Sequence, residues 1–482
     1  MNPPQASTVS YALFVKRDCP TCQLIEPAIA ELSAQLGNSL QIYSQDDPSF
    51  PSDLPVVDDT TLEQSFRCDI EIVPTLIRHT ADGNATRIEG WDRAQWRKFL
   101  NSPEIGEGLI DFKPGCGSKT QDPGMEEKLE LLYGSTALQA RPIELASAED
   151  ELEACYDRGW SDGLPVVPPT ALRVLRMLRG ASRRADEIIG SVPPDNAPCT
   201  VEKVAINAVL AGCKPEYFPV VLAAVEAALK DEFCMHGLLC TTYFSAPVVI
   251  VNGEVAARVG VNSGVNALGQ GSRANATIGR ALQLLIRNVG GGVPGGIDRA
   301  TMGNPGKYSY CFAEDESDEQ WPSLAQDRGY DRGESVVSLF AGEGLQGIVD
   351  QQSRTPESLA RSMAASLRSV AHTKLFGMAD AILLVSPEHR RVFRDGGWSK
   401  ADLRAALYNH LMVSGEAIMR GADGIAEGMP ERFKDKILNK FRDDGLHIVT
   451  LGGTAGMFSA IIGGWVASGE RGSQLVSQPV KA

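Results

Sequence analysis

An unbroken apolar run, Tyr11-Ala12-Leu13-Phe14-Val15, has the pattern of a strand covered on both faces. A helix-forming run follows over residues 23–36. Leu76-Ile77-Arg78 reads as a strand, Asp82-Gly83 as a hairpin turn, and Thr86-Arg87-Ile88-Glu89 as the partner strand. Residues 91–100 close this stretch as a helix. Residues 102–135 break the rhythm, because Gly106, Gly108, Pro114, Gly115, Gly117, Pro123 and Gly124 interrupt any regular element. A helix opens near Glu149. Prolines keep 163–169 extended, and a helix over 170–178 follows. Thr200 then caps a helix with apolar residues at helical spacing, Gly212 ends it, Cys213-Lys214-Pro215 turns the chain, and 217–229 forms a second apolar helix. Pro247 to Val251 is a buried β-branched strand. A polar glycine-rich loop over 262–275 leads into a helix over 276–288. The last third alternates: strands at 336–340, 380–385 and 446–451, with helices from Thr355, Ser386-Pro387 and Ser399, the final strand ending in the glycine loop 452–456 and another helix.

This order predicts an α/β protein in two parts. Residues 1–105 form a small domain, 106–145 a Gly/Pro-rich connector carrying Cys116, and 146–482 a large α/β domain with a mixed sheet and glycine-rich loops. A sub-boundary falls near 330–355.

Composition narrows the partners. The chain has 482 residues with 46 basic against 61 acidic side chains, a net charge of −15. That balance argues against nucleic acid and anionic membrane surfaces. Ten cysteines are too sparse for a disulfide scaffold. The start, Met1-Asn-Pro-Pro-Gln, lacks the basic and apolar regions of a signal peptide, so a reducing cytoplasmic compartment is expected. The uncharged stretch 445–469 is long enough to span a bilayer, but its glycines fit a buried strand, a loop and a core helix better.

The chemistry starts at Cys19-Pro20-Thr21-Cys22. The motif stands between a strand and a helix, where unpaired N–H groups favour the Cys19 thiolate and Cys22 is placed to resolve a mixed disulfide. Together with Ile72-Val73-Pro74-Thr75, which is similar to the Val-Pro turn that faces such a motif, residues 8–105 resemble the thioredoxin fold. The early position of the motif resembles glutaredoxin-like members, in which the first strand and helix are short or missing. The resemblance implies thiol–disulfide chemistry by Cys19 and Cys22, with Pro74 shaping the docking face.

Other candidates lie further along. Cys116 is open between glycines, with Lys113 and Lys119 nearby to favour its thiolate. Cys213 sits at a helix-hairpin tip, and Cys311 in an aromatic strand-like stretch after Lys307. In the 262–275 loop, Asn262, Ser263, Asn266, Arg273 and Asn275 form a cradle for a carboxylate or phosphate, and Gly452, Gly453 and Thr454 form a second such loop. Cys234, His236 and Cys240 would suit zinc or copper, against the simpler reading of cysteines that only pack before a strand. Pro-Gly-Cys116-Gly-Ser, Gly-Trp160-Ser-Asp-Gly-Leu-Pro-Val-Val-Pro-Pro, Thr-Val-Glu202-Lys203, Ala-Gly-Cys213-Lys-Pro-Glu-Tyr and Pro-Gly-Lys307-Tyr-Ser-Tyr-Cys311 give residues 110–482 a resemblance to a bacterial family of unsettled function, which implies no reaction.

The expected function is a thiol-dependent oxidoreductase. The small domain supplies or recycles thiols for a large domain acting on a small polar, anionic substrate through Cys116, Cys213 or Cys311. A cellular dithiol or a thioredoxin-reductase-type donor supplies electrons, and homo-oligomerisation is left open. Two rivals stand beside it: a metal- or thiol-dependent lyase or hydrolase with an accessory small domain, and a non-catalytic thiol-binding or chaperone protein.

Overall fold

A computed structural model describes residues 9–80, 84–134, 138–465 and 472–481. The chain divides into two compact units, Met1–Ala137 and Leu138–Ala482.

In the first unit the elements run β1 (Ser10–Val15), α1 (Pro20–Leu24), α2 (Glu26–Leu36), β2 (Leu40–Ser44), β3 (Val56–Asp58), α3 (Glu63–Arg67), β4 (Ile72–Val73), β5 (Thr75–His79), β6 (Ala85–Glu89), β7 (Trp91–Asp92), α4 (Arg93–Leu100), β8 (Phe112–Lys113), β9 (Cys116–Gly117) and α5 (Met125–Tyr133). The sheet order is β3-β2-β1-β5-β6. β1 lies parallel to β2 and antiparallel to β5, so its apolar run is central. β3 supplies an edge strand parallel to β2, contributed from after β2 rather than before β1. The expected 23–36 helix is broken at Ile25, because Pro27 in the first turn of α2 has no N–H to continue the α1 ladder. Trp91 and Trp96 are fully buried, with ring centroids 5.2 Å apart. Their indole N–H groups donate to the Ile110 and Gly90 carbonyls, so neither polar edge is orphaned. Asp82-Gly83 lies outside the described residues.

The first part of the stretch expected as a connector, through residue 134 of the described residues, is built into this unit. β8 pairs with β7 and β9 with β4. Gly115 makes the close approach possible: a Cβ there would stand 2.3 Å from Ile72 Cγ2 and 2.9 Å from the Val73 carbonyl oxygen. Beyond it, the buried Gln45 amide donates to Ser118 Oγ at 2.7 Å and to Ser65 Oγ at 2.8 Å.

The second unit runs α6 (Glu151–Asp157), α7 (Ala171–Leu178), β10 (Ile188–Val192), β11 (Ala197–Thr200), α8 (Val201–Ala211), α9 (Phe218–Ala228), α10 (Met235–Cys240), β12 (Ala246–Asn252), α11 (Glu254–Val259), α12 (Arg273–Asn288), β13 (Cys311–Ala313), α13 (Leu324–Asp327), β14 (Val336–Val349), α14 (Pro356–Leu367), β15 (Ala379–Val385), α15 (Pro387–Asp395), α16 (Lys400–His410), β16 (Val413–Ser414), β17 (Ile437–Leu438), β18 (Phe441–Thr450), β19 (Phe458–Gly464) and β20 (Val476–Pro479). Seven strands form one mixed sheet in the order β13-β12-β14-β19-β15-β18, with β20 beside β14. Both faces are covered. Val249 and Val251 pack into a core with α8, α9 and α12, while Val248 and Ile250 point into a second core with Phe312, Ile382 and Val449. α14, α15 and α16 cover β15 and β18. The α8–α9 hairpin follows its sequence signals: Thr200 Oγ1 accepts from the Lys203 amide, and Gly212 ends the helix at φ 86°.

One expected element is different. The loop 452–456 leads not to a helix but to β19, antiparallel to β15 and β14. The cause is close sheet packing. A Cβ on Gly463 would stand 1.9 Å from Glu343 Oε1, and one on Gly464 would stand 2.7 Å from the Asp380 carbonyl oxygen. Ile461 and Ile462 fill opposite faces. Among the described residues no helix is long and apolar enough to cross a membrane.

Candidate functional site

The sulfur of Cys19 sits where several donors converge. Cys19 is the N-cap of α1, in extended conformation, with Pro20 at the first helical position. Its Sγ accepts from the Cys22 amide at 3.2 Å. It lies 3.6 Å from the Val73 carbonyl, whose peptide link to Pro74 is cis. Both cysteines are fully buried and free. The Cys22 thiol, hydrogen-bonded to the Cys19 sulfur, does most to stabilise a Cys19 thiolate. The Cys116 thiol and the amides of Cys22 and Thr21 add to it against the opposing effect of burial, and Cys19 is brought down to about 5. Burial, reinforced by the neighbouring Cys19 charge, drives Cys22 far upward and keeps it a protonated donor.

Cys116 belongs to this site. It lies opposite Val73 in the β4–β9 pair. Around it, Thr21 Oγ1 donates to the Pro114 carbonyl at 2.6 Å and Lys113 Nζ to the Pro20 carbonyl at 3.0 Å. Burial raises Cys116, as does its hydrogen bond to Cys19, while the amide and hydroxyl of Thr21 pull it down. Lys113 thus ties the segment down rather than acting on the Cys116 sulfur. Thr21 and Pro114 are the residues that sequence reasoning missed; Thr21 stands inside the motif, but only the strand pairing reveals its partner.

The other thiols are differently placed. Cys213 is buried, donates to the Thr277 carbonyl at 3.4 Å, and is pushed up to about 12 by burial. Cys311 is buried on β13 and raised by the same cause. Neither environment favours a nucleophilic thiolate. His236 and Cys240 are exposed and Cys234 is half-buried. Among the described residues no group of three or more His, Cys, Asp or Glu side chains, Cys234, His236 and Cys240 included, is arranged to hold a metal ion.

In the second unit the two glycine-rich loops meet. The Gly452 amide donates to the Ser263 carbonyl at 2.9 Å. Ser263, Gly264, Gly452 and Thr454 line a cavity of about 400 Å3 with Arg390, Arg391, Arg394 and Asp315, which pairs with Arg390 at 3.1 Å. Gly453 packs against Val265. The asparagines, expected to cradle a ligand, hold the loop itself. Asn275 Nδ2 donates to the Asn262 and Ala267 carbonyls, Asn262 Nδ2 to the Val265 carbonyl, and Asn266 Nδ2 to the Gln270 carbonyl. Arg273 Nε donates to the Gly212 carbonyl at 2.9 Å, and the residue lines a neighbouring cavity of about 620 Å3 with Lys214 and Arg258. Lys307 is paired with Asp298 at 2.7 Å. The arginines of α15 went unread in the sequence, although Arg390-Arg391 and Arg394 follow a legible helix start.

No family model matches the chain, and no curated protein matches it. Among solved structures, the crystal structure of StoA from Bacillus subtilis is similar to 20% of this chain and 85% of its own, at 16% identity and a TM-score of 0.17.

Proposed function

We propose that the first unit is a thiol–disulfide exchange centre of thioredoxin-like type. Cys19 attacks a substrate disulfide as a thiolate, and the resulting mixed disulfide is resolved within the protein. The observation that carries this reading is the set of donors on one sulfur: the Cys22 amide and thiol, the Thr21 amide and the Cys116 thiol all face Cys19. The strand order and the Val73–Pro74 turn beside the motif support the fold assignment. Substrates are disulfide-bearing molecules, and an external dithiol restores the reduced state. Cys213 and Cys311 have no part in this reading, because both are neutral thiols in the core. The test is reduction of a small disulfide with dithiothreitol as the electron source. Wild type accelerates it and Cys19→Ser does not; equal rates for the two would end the proposal.

For the second unit we propose binding of a small anionic molecule. Lys214, Arg258 and Arg273 line one cavity without an acidic neighbour in its wall, whereas in the other Asp315 stands among the three arginines and pairs with Arg390. Titration of the full chain with inorganic phosphate, followed calorimetrically, tests it: wild type binds and Arg258→Ala/Arg273→Ala binds more weakly, whereas identical isotherms would refute it.

A further inference from the structure

Three cysteines, not two, share the first unit's site, and the third reaches it by a dedicated piece of chain. The segment 111–118 crosses the start of α1. It is held by the β7–β8 and β4–β9 pairs, the Thr21–Pro114 and Lys113–Pro20 hydrogen bonds, and the tight fit of Gly115 against Gly90, where a Cβ on Gly90 would stand 2.8 Å from the Gly115 amide nitrogen. These contacts set Cys116 opposite Val73, whose carbonyl lies 3.6 Å from the Cys19 sulfur, and bring the Cys116 thiol to Cys19. Resting on the exchange reading above, we propose that Cys116 is a second resolving thiol, which attacks the Cys19 mixed disulfide and closes a Cys19–Cys116 disulfide between the crossing segment and α1.

The chemistry balances within the protein and its substrate. The Cys19 thiolate attacks RS–SR′, forming Cys19–S–S–R and expelling R′S⁻. Cys116 loses its proton to that thiolate, attacks the Cys19 sulfur, breaks its bond to SR and expels RS⁻, which takes a proton from solvent. The substrate disulfide gains two electrons, and Cys19 and Cys116 are oxidised to a disulfide. An external dithiol returns the pair to its reduced form.

Accessibility separates the two resolving candidates. Cys22 is fully buried, whereas Cys116 is half-buried. Once Cys19 is consumed, its charge no longer opposes ionisation of either neighbour. Burial, the leading obstacle for both, remains, and it weighs more on the fully buried Cys22 than on the half-buried Cys116. Cys116 keeps the amide and hydroxyl of Thr21 beside its sulfur.

The test uses the full chain, reduced and then exposed to oxidised glutathione, quenched with an alkylating agent and mapped by mass spectrometry. Cys22→Ser is expected to release both halves of glutathione disulfide as thiols and to yield the Cys19–Cys116 peptide. Cys22→Ser/Cys116→Ser is expected to stop at Cys19–glutathione. Accumulation of Cys19–glutathione in Cys22→Ser, with Cys116 alkylated, would overturn the proposal. Wild type quenched early gives the same reading without a substitution: a Cys19–Cys116 peptide is expected, and Cys19–Cys22 alone at every time overturns it. If Cys19 takes no adduct in any variant, the exchange reading has failed instead.

Discussion

Replacing Cys116 by alanine removes one thiol donor from the Cys19 sulfur while leaving the β4–β9 backbone pair in place. A hydrogen bond to a charged group contributes roughly 1.5–3 kcal/mol, but a thiol is a weak donor, and water can replace this half-buried one. About 0.7 kcal/mol is left, and since one pKa unit is about 1.36 kcal/mol, Cys19 should rise by roughly half a unit. Cys22→Ala removes the largest stabilising donor at a fully buried position that water fills less easily, so a rise of roughly 1–2 units is expected. The assay is the rate of iodoacetamide alkylation at Cys19 against pH, read by peptide mass spectrometry, with thiolate ultraviolet absorbance as a second probe. Wild type should lose reactivity as pH falls through about 5. A folded Cys116→Ala protein whose profile overlays wild type, or one that shifts more than Cys22→Ala, would refute the donor argument.

Gly115→Val should destabilise the first unit by about 1–3 kcal/mol through overpacking on Ile72 and the Val73 carbonyl; a denaturant midpoint equal to wild type would contradict it. Asp162→Ala removes the carboxylate bound to Arg280 through both oxygens, with side chains only 13% and 12% exposed, and leaves the guanidinium the Leu164 and Pro165 carbonyls, so it should cost roughly 1–3 kcal/mol in the second unit. Thermal unfolding checks this, and a shift within error would sink it. His447 is held down to about 3, first by burial and then by Arg328, Arg404 and Lys400. Its folded value lies below the unfolded value of about 6.5, so the unfolded chain binds the proton more readily. Stability is therefore full above about 6.5 and is lost as pH falls toward about 3. His447→Gln should flatten that loss in pH-dependent denaturant melts, and an unchanged slope would count against the assignment.

What the sequence made legible was local. The caps at Thr200, Thr355, Ser386 and Ser399 start helices as their hydroxyls predict. The strand, C-x-x-C and helix succession is a contiguous pattern, and so is the Val-Pro turn. Cys116 was recognisable as an unusual thiol, but its place beside Cys19 depends on pairing between β4 and β9, a long-range contact with no periodic signal. The glycines after Thr450 misled for a related reason. They permit a loop, a helix or close strand packing, and only the Glu343 and Asp380 neighbours decide among these. The asparagines of the 262–275 loop have the composition of a ligand cradle, yet their amides bond to their own backbone.

The central claim is that Cys19 belongs to a working dithiol–disulfide couple, and a redox titration tests it most directly. The full chain is equilibrated across glutathione buffers of increasing oxidised fraction, and free thiols are counted at each by differential alkylation. The account predicts that Cys19 passes in a two-electron step from alkylatable to disulfide-bonded with Cys22 or Cys116, while Cys213 and Cys311 stay reduced. The couple should be more oxidising than an ordinary buried pair, because the low Cys19 pKa stabilises the reduced form. Cys19 remaining a free thiol across the whole range would contradict the account.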